Sequence, residues 1–442
     1  MSVWLFRGAE NSHKQDRRRK WVVNALAVLC AGTISNSIPA LSAALAEVEG
    51  DVRPVMFVGN NWDGTVTVID PEDNYRQIGR LNVIPDEAIR LKEIRSNPIR
   101  RFYFWAIRNK VGEGNNQLVD DMYSSLDGRS LIASRPSFAD VISIDLTSGE
   151  LNWRFPVDGY RADHMALSPD GREVAVSAST GNVVHLIDIE TGKETGRFST
   201  GDKPHENKYF AGGRKIINAA IGNVSSGNDA HWQDFTKGDR KLTIYNRNSG
   251  KIEKIIDIRD ALDAFGRKDL SDSVRPFSMS QDETTLWFQV SFFNGVIEYD
   301  LMTDDIRRII NLPDGDAPKN RKKFVNDSRH HGLASNKDGT KLCVAGTMDE
   351  YATIIDLNSE EPMKLIRAGK PYWATVSRDG TACVISESDT DKVTVIDFAS
   401  GEKRLSVDVG NHPQRVRNGF VPANWISNDK QPDQEKVDAP SY

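Results

Sequence analysis

The sequence predicts an all-β fold, a seven-bladed β-propeller in which N- and C-terminal strands close one blade together. Three observations predict it: a turn signature that recurs seven times, short β-branched strands between the turns, and incomplete repeats at the two ends that complement each other. The clearest copy of the signature is Ser168-Pro169-Asp170-Gly171, then Glu173 to Ser177, Val183 to Asp188 and the turn Thr191-Gly192-Lys193. Equivalent turns are expected at Asp127-Gly128, Gly212-Gly213, Asp282-Glu283, Asp338-Gly339, Asp379-Gly380 and Asn418-Gly419, at spacings of 43, 42, 70, 56, 41 and 39 residues. The base period near 40 is that of a four-stranded blade. Runs such as Val141 to Asp145 and Val393 to Asp397 have the composition of strands. Val55–Gly59, Thr65–Asp70 and Tyr75–Leu81 read as second, third and fourth strands without a first, and Pro413–Val421 as a first strand without the others. Joined, they leave no free edge at the seam.

The propeller is assigned to residues 52–421. Residues 1–46 have the order of an export signal: Arg17-Arg18-Arg19-Lys20, an apolar run from Trp21 to Gly32 that is too short for a permanent membrane span, and Ala44-Leu45-Ala46. The arginine pair is similar to a twin-arginine signal, with a Sec signal as the alternative. Residues 422–442 read as a polar, disordered tail. The expected location is periplasmic or secreted. The net charge is −6; residues 1–46 hold six cations and two carboxylates, leaving −10 for the remainder, a sign that argues against nucleic acid as a partner. Cys343 and Cys383 are expected to be buried free thiols, because matched positions in neighbouring blades do not face each other.

Ser168-Pro169-Asp170-Gly171, Leu186-Ile187-Asp188-Ile189-Glu190-Thr191-Gly192 and Val395-Ile396-Asp397 resemble the repeats of the YVTN-type bacterial β-propellers, which are WD40-like in architecture. The resemblance spans roughly residues 52–421. It implies the fold; its relatives include binding proteins, lactonase-like hydrolases, lyases and electron-transfer subunits, so it leaves the activity open.

In such a blade the first strand runs down the axis from the top face. The Asp-Gly turns then lie at the bottom, and the insertions 82–119, 222–240, 258–274 and 313–328 all fall on top. Long loops gathered on one face point to function there. Residues 86–110 read as a short helix and an aromatic segment, a lid over that face; Lys319 to Lys323 form a basic patch. Trp62, Trp232, Phe235, Phe292, Phe293, Tyr351, Tyr372 and Trp373 are expected to be exposed there.

Counting back from each bottom turn reaches the residue that enters the first strand at the mouth of the channel. His164, His331 with His330, Trp373 after Tyr372, and His412 occupy that place, with Asp121, His205 beside Glu206, and Arg275 near the same register. Five of the chain's eight histidines fall in this ring. Three readings stay open: hydrogen bonding between blades; a divalent transition metal on His164, His205, His331 and His412; or binding and acid–base chemistry without metal, with His164, His331 and Arg275 as the catalytic candidates. The expected function is a binding propeller that presents its top face to a small ligand, metal or protein; the alternative is a lyase or hydrolase acting on a carbohydrate or lactone. The absence of Cys-x-x-Cys-His, Gly-x-Ser-x-Gly, a phosphate loop and His-Glu-x-x-His argues against covalent haem, α/β-hydrolase, P-loop and zincin chemistry.

Overall fold

A computed structural model describes residues 52–224, 231–315 and 329–426. The expected export signal, the tail beyond 426 and the basic patch at 319–323 lie outside the described residues. Seven antiparallel sheets form the blades. Their innermost strands, counted from the closing blade, are Pro413–Pro422, Met122–Ser124, Ala162–Leu167, Pro204–Phe210, Val274–Met279, Gly332–Ser335 and Pro371–Val376. Blade 1 has the order predicted for the seam: Pro413–Pro422 pairs with Val52–Asn60, followed by Thr65–Asp70 and Arg76–Asn82.

The repeated turns hold for physical reasons that recur from blade to blade. The Ser168 hydroxyl donates to Asp170 at 2.6 Å and accepts from the backbone N–H groups of Arg172 and Glu173. Ser125, Ser280 and Ser377 hold the carboxylates of Asp127, Asp282 and Asp379 in the same way. Gly171 closes its turn at a φ of +67°, where a Cβ would be strained. Second strands such as Glu173–Ala178 are buried along their whole length, because neighbouring blades cover both faces. Fourth strands such as Leu151–Pro156 alternate between half-buried and exposed, as an outer edge should.

Two expectations fail. Asn418-Gly419 is not a turn: both residues lie within Pro413–Pro422, where Gly419 pairs with Val55. The closing strand meets the start of the chain, so no hairpin is required. Cys343 and Cys383 form a disulfide, with their Cα atoms 6.2 Å apart. The turns of blades 6 and 7, at Gly339 and Gly380, are 41 residues apart, but the cysteines are separated by 40. Cys343 is the third residue of Lys341–Gly346 and Cys383 the second of Ala382–Glu387. An offset of one residue turns a side chain to the opposite face of its strand. The two thiols therefore face each other across the gap between blades.

The four long connections all leave the end at which the innermost strands begin. They join a fourth strand to the next blade or a second strand to a third. The connection from Asn82 to Val119 carries helices Glu87–Ser96 and Pro98–Lys110. Its aromatic segment is helical; Asn97 caps it with bonds to the Ile99 and Arg100 N–H groups, and Phe104 and Ile107 anchor it. Tyr103 stacks on Tyr160 of the loop before blade 3 at 4.2 Å. Beyond the helices, Glu113 pairs with Lys370 at the entry to blade 7, and Gln117 accepts from Arg161 at 3.3 Å at the entry to blade 3. This connection thus ties together the top of several blades.

Candidate functional site

Every blade contributes to the mouth of the axial channel. Blade 3 brings Asp163 and His164, blade 4 His205 and Glu206, blade 5 Arg275, blade 6 His330 and His331, blade 7 Tyr372 and Trp373, blade 1 Arg415 and Arg417, and blade 2 Asp120 and Asp121. His164, His205 and His331 are buried, and one ring nitrogen of each lies within 4.8 Å of the others. The His164 and His205 ring centroids are 3.7 Å apart, and His331 stands 5.4 Å from His205. Gly332, next to His331, lets blade 6 lie close against blade 7: a Cβ there would come within 2.7 Å of the Ala374 nitrogen.

Burial drives the proton affinity of all three imidazoles well below the usual histidine value, and the Arg415 charge lowers each further. The rings are therefore neutral and carry lone pairs. The Nδ1 atoms of His205 and His331 are buried with no hydrogen-bond partner. His164 is held on both sides. Its Nδ1 lies 2.6 Å from Glu206 Oε2, and the Arg415 guanidinium donates to its Nε2. The latter contact requires the ring proton on Nδ1. Burial pushes the Glu206 carboxyl up to about 8; a proton on Oε1 leaves Oε2 free to accept from Nδ1. Asp120 Oδ2 and Asp163 Oδ1 approach the other edge of His164 at 3.8 and 3.6 Å, and both oxygens lack a hydrogen-bond partner. Burial, with Asp163 close by, raises Asp120 to about 7.

Arg415 is fully buried and stacks on Trp373 at 4.1 Å, and its Nε and Nη1 have no hydrogen-bond partner. Arg275 donates from Nε to Ser291 at 2.8 Å and, through its charge, lowers the His205 and His331 pKa values. Tyr372 packs on His331 at 4.2 Å.

The remaining sequence candidates do other work. Asp121 is a joint between three blades: its carboxylate accepts from Arg417 at 2.8 and 2.7 Å, from Met122 N–H at 2.9 Å and from Met165 N–H at 3.0 Å. His330 turns away from the cluster, with Nε2 bonded to Asn294 Oδ1 and its ring 5.9 Å from Tyr351. His412 lies outside the groups whose ligand atoms converge; it stacks on Trp62 at 3.7 Å, at a φ of +54°. Its place in the repeat explains this. Lys203-Pro204, Lys370-Pro371 and His412-Pro413 each begin a blade, and Lys203 and Lys370 share the left-handed backbone of His412. The residue of blade 1 that reaches the histidines is thus Arg415, two places after the proline. Counting back from Asn418-Gly419, which is no turn, pointed to the wrong residue.

Asp120, Asp163 and Arg415 escape sequence reasoning. Each stands beside a residue it did single out, or two places from the blade-opening proline, but charged residues at strand ends are common. The aromatics also differ from expectation: Phe292, Phe293, Tyr351 and Trp373 are buried packing groups, Phe235 is open, and the Trp232 side chain lies outside the description. Exposed rings occur instead at Phe102 and Trp105 of the helical connection.

Below the histidines the channel holds a cavity of about 430 Å³, lined by the later residues of the innermost strands, with Glu206 and Trp373 at its upper limit. No helix among the described residues is long and apolar enough to cross a membrane. No family model matches the chain, and none of the curated proteins matches it.

Proposed function

We propose that the chain is an exported YVTN-like propeller whose axial site binds a divalent transition ion through His164, His205 and His331. One observation carries this reading: three neutral imidazoles converge in a buried pocket where two of them keep a nitrogen without a partner. A tetrahedral zinc site places ligand nitrogens about 3.3 Å apart; the 4.8 Å ceiling leaves a modest closure for ring rotation to supply. Low proton affinity favours the site further, since a metal then displaces few protons. Glu206 on His164 Nδ1 is the type of carboxylate that orients an imidazole ligand. Asp120 and Asp163 bring carboxyl oxygens without hydrogen-bond partners to the same edge. The Cys343–Cys383 disulfide supports export, because such bonds persist in oxidising compartments.

A second reading rests on Arg415, which holds His164 Nε2 and keeps two unpartnered N–H donors. With Arg275 nearby, it suits a small anion bound without metal. Cobalt titration of the purified full chain, followed by its visible absorption, separates the two. The metal reading expects one ion per chain, lost in His205→Ala/His331→Ala while the melting transition survives. Absence of saturable uptake by the wild type refutes it; sulfate binding that survives the double variant but is abolished by Arg415→Gln establishes the second reading.

A further inference from the structure

The lower part of the channel contains chemistry that the histidine site does not use. The 430 Å³ cavity is within the range of pockets that take small molecules. Its walls are partly apolar, with Trp373, Phe277 and Leu333 among them. Two polar groups in this wall lack partners. Asn418 donates from Nδ2 to the Val376 carbonyl at 2.8 Å, but its buried Oδ1 accepts nothing. Lys208 points its stem along the same wall, and among the described residues its ammonium has neither a hydrogen bond nor an ion pair. Arg417, also in the wall, is spent on Asp121 and contributes field rather than a donor. Glu206 borders the cavity with its carboxyl engaged by His164.

A half-buried ammonium without a partner is costly: burial and the Arg417 charge both push the Lys208 pKa down, against the opposing pull of Glu206 and Glu283. A ligand that supplies an acceptor for Lys208 and a donor for Asn418 Oδ1, with an apolar body against Trp373, Phe277 and Leu333, satisfies both open polar groups of the cavity. We infer that the lower channel is a binding site for a small hydroxy- or amino-carboxylic acid with an apolar or aromatic body, its carboxylate on Lys208 and its donor on Asn418. The site is separate from the three histidines and does not depend on their taking a metal.

Mandelate, which has a carboxylate, an adjacent hydroxyl and a phenyl ring, is a suitable probe, and 1-phenyl-1,2-ethanediol is its uncharged counterpart. Isothermal titration of the full chain is expected to show saturable 1:1 uptake of mandelate and none of the diol. Lys208→Met keeps the stem but removes the charge, and should weaken uptake by about ten- to a hundredfold, the worth of one charged hydrogen bond. Lys208→Arg should restore part of it, and Asn418→Leu should weaken it independently should Lys208→Met fail to fold. Cobalt uptake at the histidines should be unchanged in these variants. Failure of the wild type to bind mandelate saturably, equal uptake of the diol, or undiminished uptake in both Lys208→Met and Asn418→Leu overturns the assignment.

Discussion

The disulfide between blades 6 and 7 gives the sharpest quantitative test of the architecture. Cys343 and Cys383 are 40 residues apart, and both are fully buried in the packing between the two sheets. Chain-entropy reasoning for a closed loop of that length gives a loss of about 13 cal/mol/K from the unfolded ensemble, or about 4 kcal/mol at room temperature. For a propeller of roughly 370 residues, an unfolding entropy near 2.1 cal/mol/K per residue converts this to a fall of about 5 °C in melting temperature. Serine is close in size to cysteine, so Cys343→Ser/Cys383→Ser removes the cross-link with little change in volume. Scanning calorimetry of the double variant should show that fall, and reductant should lower the wild-type transition toward the same value without moving the variant. Peptide mapping after alkylation under non-reducing conditions should find both cysteines protected. Free alkylation of both in the folded wild type, or a variant that melts with the wild type, would refute the one-residue offset that turns these thiols toward each other.

The other tests separate support from binding. Asp121→Asn replaces a fully buried carboxylate that accepts four hydrogen bonds from blades 1, 2 and 3 and leaves the largely covered Arg417 without its counter-charge; urea unfolding should show a loss of about 3 kcal/mol, and a loss under 1 kcal/mol would reject its role as a joint. His412 has its pKa lowered to about 3 by burial and by the Lys370 charge. The unfolded chain therefore takes up this proton first. The stabilisation is complete above about pH 6.5 and is lost as pH falls toward 3, amounting to about 2–3 kcal/mol by pH 4.5. Asparagine tolerates the left-handed backbone at this position, so His412→Asn should fold and have a shallower acid limb in its stability profile. An unchanged limb would show that His412 does not govern it.

The fold was readable because its signals are local and repeated. A serine, an aspartate and a glycine at fixed spacing make the same turn wherever they occur, and the half-blades at the ends could be completed only by each other. The candidate site was readable in part for a related reason. In a propeller all innermost strands begin at one end of one channel, so histidines at strand entries had to converge, and His164, His205 and His331 do. What sequence could not resolve were differences of a single residue. Asp120 and Asp121 are adjacent, yet one faces His164 and the other is locked into Arg417; Cys343 and Cys383 differ by one place in their strands. Strand geometry reverses the direction of a side chain at each step, so an error of one in register carries a residue from the axis into a wall.

Arg415 shows why register also decides the electrostatics. Its guanidinium is fully buried, and in a pocket so poorly solvated a cation that is incompletely paired weighs on every ionisable neighbour. It lowers the three imidazoles, holds His164 Nε2, and faces Asp120 at 3.8 Å. A metal on His164 Nε2 must displace this guanidinium, which has the Asp120 carboxyl 3.8 Å away as another acceptor. The affinity of the site is then set by competition between an ion and an arginine for one nitrogen. Removing the competitor with Arg415→Gln should tighten cobalt binding, whereas Asp120→Asn, which takes away the alternative seat for the guanidinium, should weaken it. Opposite signs in these two titrations would follow from competition alone, and a loss of affinity in both would mean that Arg415 helps to build the site it has been taken to block.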